Sequence, residues 1–118
     1  MATMGAGMRI IVDQVPVGGR EGDMERVAVV FPAYNEERHV GEAVRTALEA
    51  GVGHVVCVND CSVDSTGAII DDFASDSRVA ALHHEVNQGK QAAVKHGLAL
   101  ALARAGTSAF AVLDSDMQ

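Results

Sequence analysis

From Val27 onward, short apolar runs alternate with longer mixed segments. VAVVF (27–31) is a continuous apolar run, which predicts a strand buried on both faces, and HVVCV (54–58), RVAALHH (78–84) and SAFAVL (108–113) read as three further strands. Val40, Ala43, Val44, Ala47 and Leu48 recur at helical spacing, and Gly51 suits a C-terminal cap. A second helix is expected from about Ser65 to Ala74, with Ser62 or Asp64 as its cap, and a longer third from about Lys90 to Ala105. The order β-α-β-α-β-α-β predicts an α/β, Rossmann-like fold. Right-handed crossovers would build a parallel sheet with helices on both faces. Residues 1–25 read as a Gly-rich leader with room for a short strand at Met8 to Val12. GAG at 5–7 precedes that stretch and lacks a third glycine, so it is not a dinucleotide fingerprint.

Composition narrows the class. A chain of 118 residues makes one domain, and 48% hydrophobic with 21% charged residues is globular. Aromatics are 3% and Trp is absent, so Val, Ala, Leu and Ile must build the core. A net charge of -7 argues against nucleic acid or an anionic membrane surface as partner, but not against an anionic ligand held through a cation. Cys57 and Cys61 are not spaced as CxxC. They read as one core thiol and one loop thiol, in keeping with a reducing compartment. No apolar run approaches the ~20 residues of a membrane span. The N-terminus lacks a long apolar core behind a basic start, so a cytoplasmic location is expected by default.

The unusual polar clusters all follow strand C-termini: PAYNEE, NDCSVDS, EVNQGK and DSDMQ. Ligands of open α/β sheets bind outside those ends. Asp114 and Asp116 stand two residues apart, so both carboxylates fall on one side of an extended segment, where they can approach one divalent cation. Gln118 continues the spacing and can add an amide oxygen. Asp60 closes the second strand, where it can accept from a base N–H or a ribose hydroxyl, or serve as a turn aspartate. Tyr34 is placed to stack on a base or simply to pack. Glu36 and Glu37 sit where a helix's first turn favours acids. Lys90 follows Gly89 at a helix start and can meet a phosphate or stay solvated, but the surrounding residues are not a P-loop. His83, His84 and His96 could suggest a metal, but His83 and His84 are adjacent, so a strand points them to opposite faces, which argues against a histidine metal site.

VVFPAYNEE, VVCVNDCSVDST, NQGKQAAVKHGLALA and AVLDSDMQ, in this order and spacing, resemble the nucleotide-binding half of the family 2 glycosyltransferases, inverting enzymes of the GT-A fold. The resemblance covers residues 26–118. DxDxQ together with PAYNEE is similar to the polyprenyl-phosphate sugar transferases, the dolichyl-phosphate mannose synthase type. The resemblance implies that Pro32, Tyr34 and Glu36 line a nucleotide pocket and that Val58 and Asp60 hold base and ribose. It implies that Asp114 and Asp116, with Gln118, bind Mg²⁺ or Mn²⁺ on the diphosphate of a GDP- or UDP-sugar, with Ser115 against ribose or phosphate. The metal would stabilise the leaving nucleoside diphosphate while an acceptor, such as a polyprenyl phosphate, attacks with inversion. A protein of the polyprenyl-phosphate type would work at the cytoplasmic face of a membrane.

Two departures qualify the resemblance. Asn59 and Cys61 stand where the family usually has an aspartate and a glycine, and a side chain at Cys61 is expected to strain the turn. Members of the family also continue well beyond DxD, with the acceptor site and the general base. The chain therefore reads as a truncated domain, and no catalytic residue is assigned. With a strand order of 3-2-1-4, SAFAVL is expected to be an exposed edge through which the chain self-associates. A non-catalytic nucleotide-binding or interaction fragment fits the same residues. An unrelated Rossmann-like domain, such as a methyltransferase, would want a glycine-rich loop after the first strand, and PAYNEE is not one.

Overall fold

The computed structural model describes residues 2–4, 8–12, 23–104 and 107–113. Along the chain come β1 (Ala2–Met4), β2 (Met8–Val12), a 3₁₀ turn (Asp23–Arg26), β3 (Val27–Ala33), α1 (Val40–Glu49), β4 (His54–Asn59), α2 (Thr66–Phe73), β5 (Val79–His83), α3 (Lys90–Leu102) and β6 (Ala109–Leu113). One sheet runs in the order β1-β2-β6-β3-β4-β5. The last four are parallel to one another, so the predicted α/β sheet and its order are present. Val30 pairs with Val56 on one side and Val112 on the other, which centres the sheet on β3.

The apolar runs lie where their composition demands. Ala28 to Ala33 and Val55 to Asn59 are buried without a break, as expected for central strands covered on both faces. On one face α1 and α2 close over Val29, Phe31, Val55 and Cys57, with Val40, Val44 and Ile70 interleaved. On the other, α3 lays Ala93 and Ala101 against Val30, Val56 and Val58. Phe31 and Ile70 are fully buried, and each contributes about 1.5–3 kcal/mol by leaving water. Gly97 lets α3 come this close: a Cβ there would stand 2.4 Å from Val30 Cγ1 and 3.0 Å from Val58 Cγ2.

The structure corrects the expected exposed edge. β2 pairs antiparallel with β6, setting Ile10 opposite Leu113 and Val12 opposite Ala111, and β1 pairs with β2 in turn. The apolar stretch of the leader thus satisfies the backbone that β6 would otherwise present, the usual remedy for an open sheet edge. The premise for self-association through β6 is removed. α2 and α3 are also shorter than expected, ending at Phe73 and Leu102.

Candidate functional site

The parallel strands deliver three loops to the carboxyl edge: 34–39 after β3, 60–65 after β4 and 84–89 after β5. The first two are clasped reciprocally. Asn35 N–H donates to Ser62 Oγ at 3.0 Å, and Asn35 Oδ1 accepts from Val63 N–H at 3.0 Å. Glu36 N–H donates to Thr66 Oγ1 at 2.8 Å, and Glu37 N–H to Asp64 Oδ2 at 3.3 Å. Glu37 Oε2 accepts from Ser65 N–H at 3.1 Å in return, capping the start of α2 from another loop. Asn35 holds φ at 53°, a left-handed conformation that asparagine tolerates and that turns its amide onto Val63.

Asp64 accepts from both the hydroxyl and the N–H of Thr66. The N-cap of α2 is Ser65, not Ser62 or Asp64 as expected: Asp64 sits one residue earlier and holds Thr66, whereas Ser62 serves the clasp. Desolvation pushes the Asp64 carboxyl up, but the Thr66 hydroxyl, Thr66 N–H and Glu37 N–H more than offset it and hold it below the ordinary range.

Asp60 joins the second and third loops. It is buried, and its own N–H donates to Ala33 O at 2.9 Å. Its Oδ1 accepts from Gln88 N–H and His84 Nδ1–H, each at 2.8 Å, and its Oδ2 from Gly89 N–H at 2.9 Å. Asn87 Nδ2 donates to Asp60 O at 3.3 Å. Desolvation pushes this carboxyl up, yet the Gln88 N–H, the His84 ring and the Gly89 N–H outweigh it and hold it below the usual carboxylate range. Gly89 keeps φ at 94°, which turns its N–H onto Asp60 as α3 begins.

The adjacent histidines point to opposite faces, as strand alternation predicts. His84 meets His96 of α3, with His84 Nε2 2.8 Å from His96 Nδ1. His83 turns towards α2, where its Nε2–H donates to Asp71 Oδ1 at 2.7 Å. Asn59 Nδ2 donates to His83 Nδ1 at 3.0 Å while Asn59 Oδ1 accepts from Ser62 N–H at 2.9 Å. Both polar residues closing β4 are therefore engaged by protein groups.

Cys61 holds φ at 62°, the strain expected where a side chain replaces the glycine. Its thiol lies 3.4 Å from Glu85 O. Cys57 is the core thiol, and burial pushes it up to about 12.

The predicted residues are distributed unevenly over this edge. Pro32 and Val58 are register partners with buried side chains, and Val58 packs beneath α3. Tyr34 is 48% exposed beside the clasp. Glu36 Oε2 lies 3.3 Å from His39 Nδ1. Lys90 opens α3 directly after Gly89. Asp114, Ser115, Asp116 and Gln118 lie outside the described residues, immediately after β6 in the sequence. Among the described residues, no group of three or more His, Cys, Asp or Glu side chains forms a metal cluster. Sequence reasoning did not find the Asp60–His84–His96 contacts or the Asn35–Ser62 clasp. The only signal for them was the placement of Asn35, Asp60, Ser62 and His84 after strand ends; His96, inside α3, gave none.

The model of the glycosyl transferase family 2 matches residues 28–118, and the chain belongs to that family. Among curated proteins, an uncharacterized protein of Methanocaldococcus jannaschii, MJ1222, is 33% identical over 82 residues, 70% of this chain and 32% of its own. Glycosyltransferase GlyG of Streptococcus pneumoniae is 34% identical over 80 residues, 65% of this chain and 27% of its own. The chain spans about a third of the length of the curated relatives it matches. The crystal structure of S. aureus TarS 1–349 superposes with a TM-score of 0.62 at 25% identity, covering 77% of this chain and 27% of that one. TarS complexes with UDP and with UDP-GlcNAc superpose at 0.58 and 24% identity. The parallel sheet flanked by helices is thus the fold of these GT-A glycosyltransferases.

Proposed function

We propose that the carboxyl edge of this sheet binds a nucleotide-diphosphate sugar for inverting transfer of the sugar to an acceptor. The observation that carries the reading is the strand order β6-β3-β4-β5, which brings the Tyr34, Asp60 and Lys90 loops together beside the strand that leads into Asp114. Family membership supports it, and UDP, which the TarS complexes hold, is the first nucleotide to try.

In this reading Tyr34 offers its exposed ring to the base. The Asn35–Ser62 and Glu36–Thr66 bonds hold that loop against β4's loop, so the ring is presented without a large ordering cost. Asp60 acts on the nucleotide through the turn it holds, because it is buried and accepts from three protein N–H groups, two of them in that turn. Lys90 and Ser115 meet the diphosphate and ribose. Asp114, Asp116 and Gln118 supply hard oxygen donors suited to Mg²⁺ or Mn²⁺. A metal bound there would neutralise the leaving diphosphate. The resemblance of PAYNEE and DSDMQ to the polyprenyl-phosphate sugar transferases makes a polyprenyl phosphate, at the cytoplasmic face of a membrane, the acceptor to try.

The reading is tested by following backbone amide resonances while UDP and Mg²⁺ are added. Shifts confined to 34–37, 87–91 and the end of β6 are expected. Shifts confined to the opposite edge of the sheet would overturn it.

A further inference from the structure

Two rings beneath the carboxyl edge take no part in the donor reading. His84 is buried, and its ring meets that of His96 edge-on, with centroids 4.9 Å apart and planes at 88°. The contacts form a closed circuit. His96 Nδ1 faces His84 Nε2 at 2.8 Å, and His84 Nδ1 meets Asp60 Oδ1 at 2.8 Å. Asp60 then takes the N–H groups of Gln88 and Gly89, where α3 begins, and α3 carries His96.

An ionised carboxylate only accepts, so His84 Nδ1 carries hydrogen. The two nitrogens facing each other at 2.8 Å share a single proton, because two N–H groups cannot point at one another at that distance. The rings together hold at most three protons and one positive charge, which Asp60 opposes. His84 cannot flip without breaking both of its bonds, and Asp60 cannot turn without releasing both backbone N–H groups.

We propose that His96, acting through His84, is a positioning residue for the Asn87–Gly89 turn. This rests on the donor-binding reading for its consequence, since that turn leads into Lys90 at the nucleotide edge. The hydrogen bond and the ring contact of His96 are both with His84, not with the turn itself. His96 acts by fixing the ring that fixes the carboxylate.

The test compares the full chain with His96→Leu, which removes the ring nitrogen, and His96→Asn, whose amide can still reach His84 Nε2. Amide hydrogen exchange at Gln88 and Gly89 is expected to accelerate on the order of tenfold in His96→Leu. Val30 and Val56 should keep their protection, and His96→Asn should restore the turn. UDP affinity should weaken and recover in parallel. Unchanged exchange in His96→Leu would overturn the proposal, as would an Asn variant no better than Leu. If the wild-type chain binds neither UDP nor GDP, the donor reading fails, and the exchange data alone decide the positioning role. If His96→Leu does not fold, the wild-type ring nitrogens decide it: a His84 whose Nδ1 carries no proton overturns the assignment.

Discussion

The carboxylate of Asp60 and the ring of His84 meet at 2.8 Å with side chains only 5% exposed, although 24 residues separate them. A buried acceptor serving three protein donors is costly to remove, because each donor is left without water or partner. Asp60→Ala is expected to lose about 3 kcal/mol of stability in urea denaturation, whereas Asp60→Asn, which keeps one acceptor oxygen, should lose about 1–2 kcal/mol. A loss under about 0.5 kcal/mol for Asp60→Ala would show that the junction does not form.

Acid should unfold the protein through the same carboxylates. Asp60 and Asp64 are held below the usual range, and Asp76 is held at about 2 by the side-chain and backbone N–H groups of Arg78. A depressed folded value means the unfolded chain takes up protons first. The stabilisation is therefore complete above the ordinary value of about 3.9 and disappears as pH falls through the folded values. Stability by chemical denaturation should be steady near pH 6 and decline steeply below about pH 4. In Asp60→Asn the decline should be shallower.

Cys61→Gly should stabilise. The left-handed φ of 62° costs a residue with a Cβ about 1–2 kcal/mol. Glycine returns roughly 0.5–1 kcal/mol of that through the greater freedom of the unfolded chain. A net gain of about 0.5–1 kcal/mol is expected in thermal or urea unfolding. Destabilisation would mean that the contact of the thiol with Glu85 O outweighs the strain.

Asn59→Asp, which restores the acidic residue usual in the family, should not be neutral. Asn59 donates to His83 Nδ1 while accepting from Ser62 N–H, and His83 uses its other nitrogen on Asp71. An aspartate replaces the donor with an acceptor, so His83 must carry both ring protons to keep its contacts. The variant is expected to lose about 1–2 kcal/mol in urea denaturation. A loss under about 0.5 kcal/mol would contradict the assigned contacts.

Much of this architecture was legible in the sequence. VAVVF and HVVCV marked central strands because a strand covered on both faces has no polar positions to alternate. His83 and His84 had to diverge because successive strand residues face opposite ways. The pairing of Met8–Val12 with β6 was not legible, since a five-residue apolar stretch carries no record of the edge that will accept it. Nor was the Asp60–His84–His96 circuit, whose bonds join residues 24 and 12 positions apart and depend on how α3 settles on the sheet. The PAYNEE, NDCSVDS and EVNQGK clusters do follow strand ends, as their place in the sequence implied. The sequence did not show that Asn59 and Asp60 would be occupied by protein donors and acceptors, because only the third dimension brings Ser62, His83, Gln88 and Gly89 to them.

The most direct test of the account is calorimetric titration of UDP and GDP, each with and without Mn²⁺, against this chain and against Asp114→Ala/Asp116→Ala. Nucleotide binding is expected to strengthen with Mn²⁺ and to lose that metal dependence in the double variant. Metal-independent binding that is the same in both proteins would contradict the account, as would a folded wild-type chain that binds neither nucleotide.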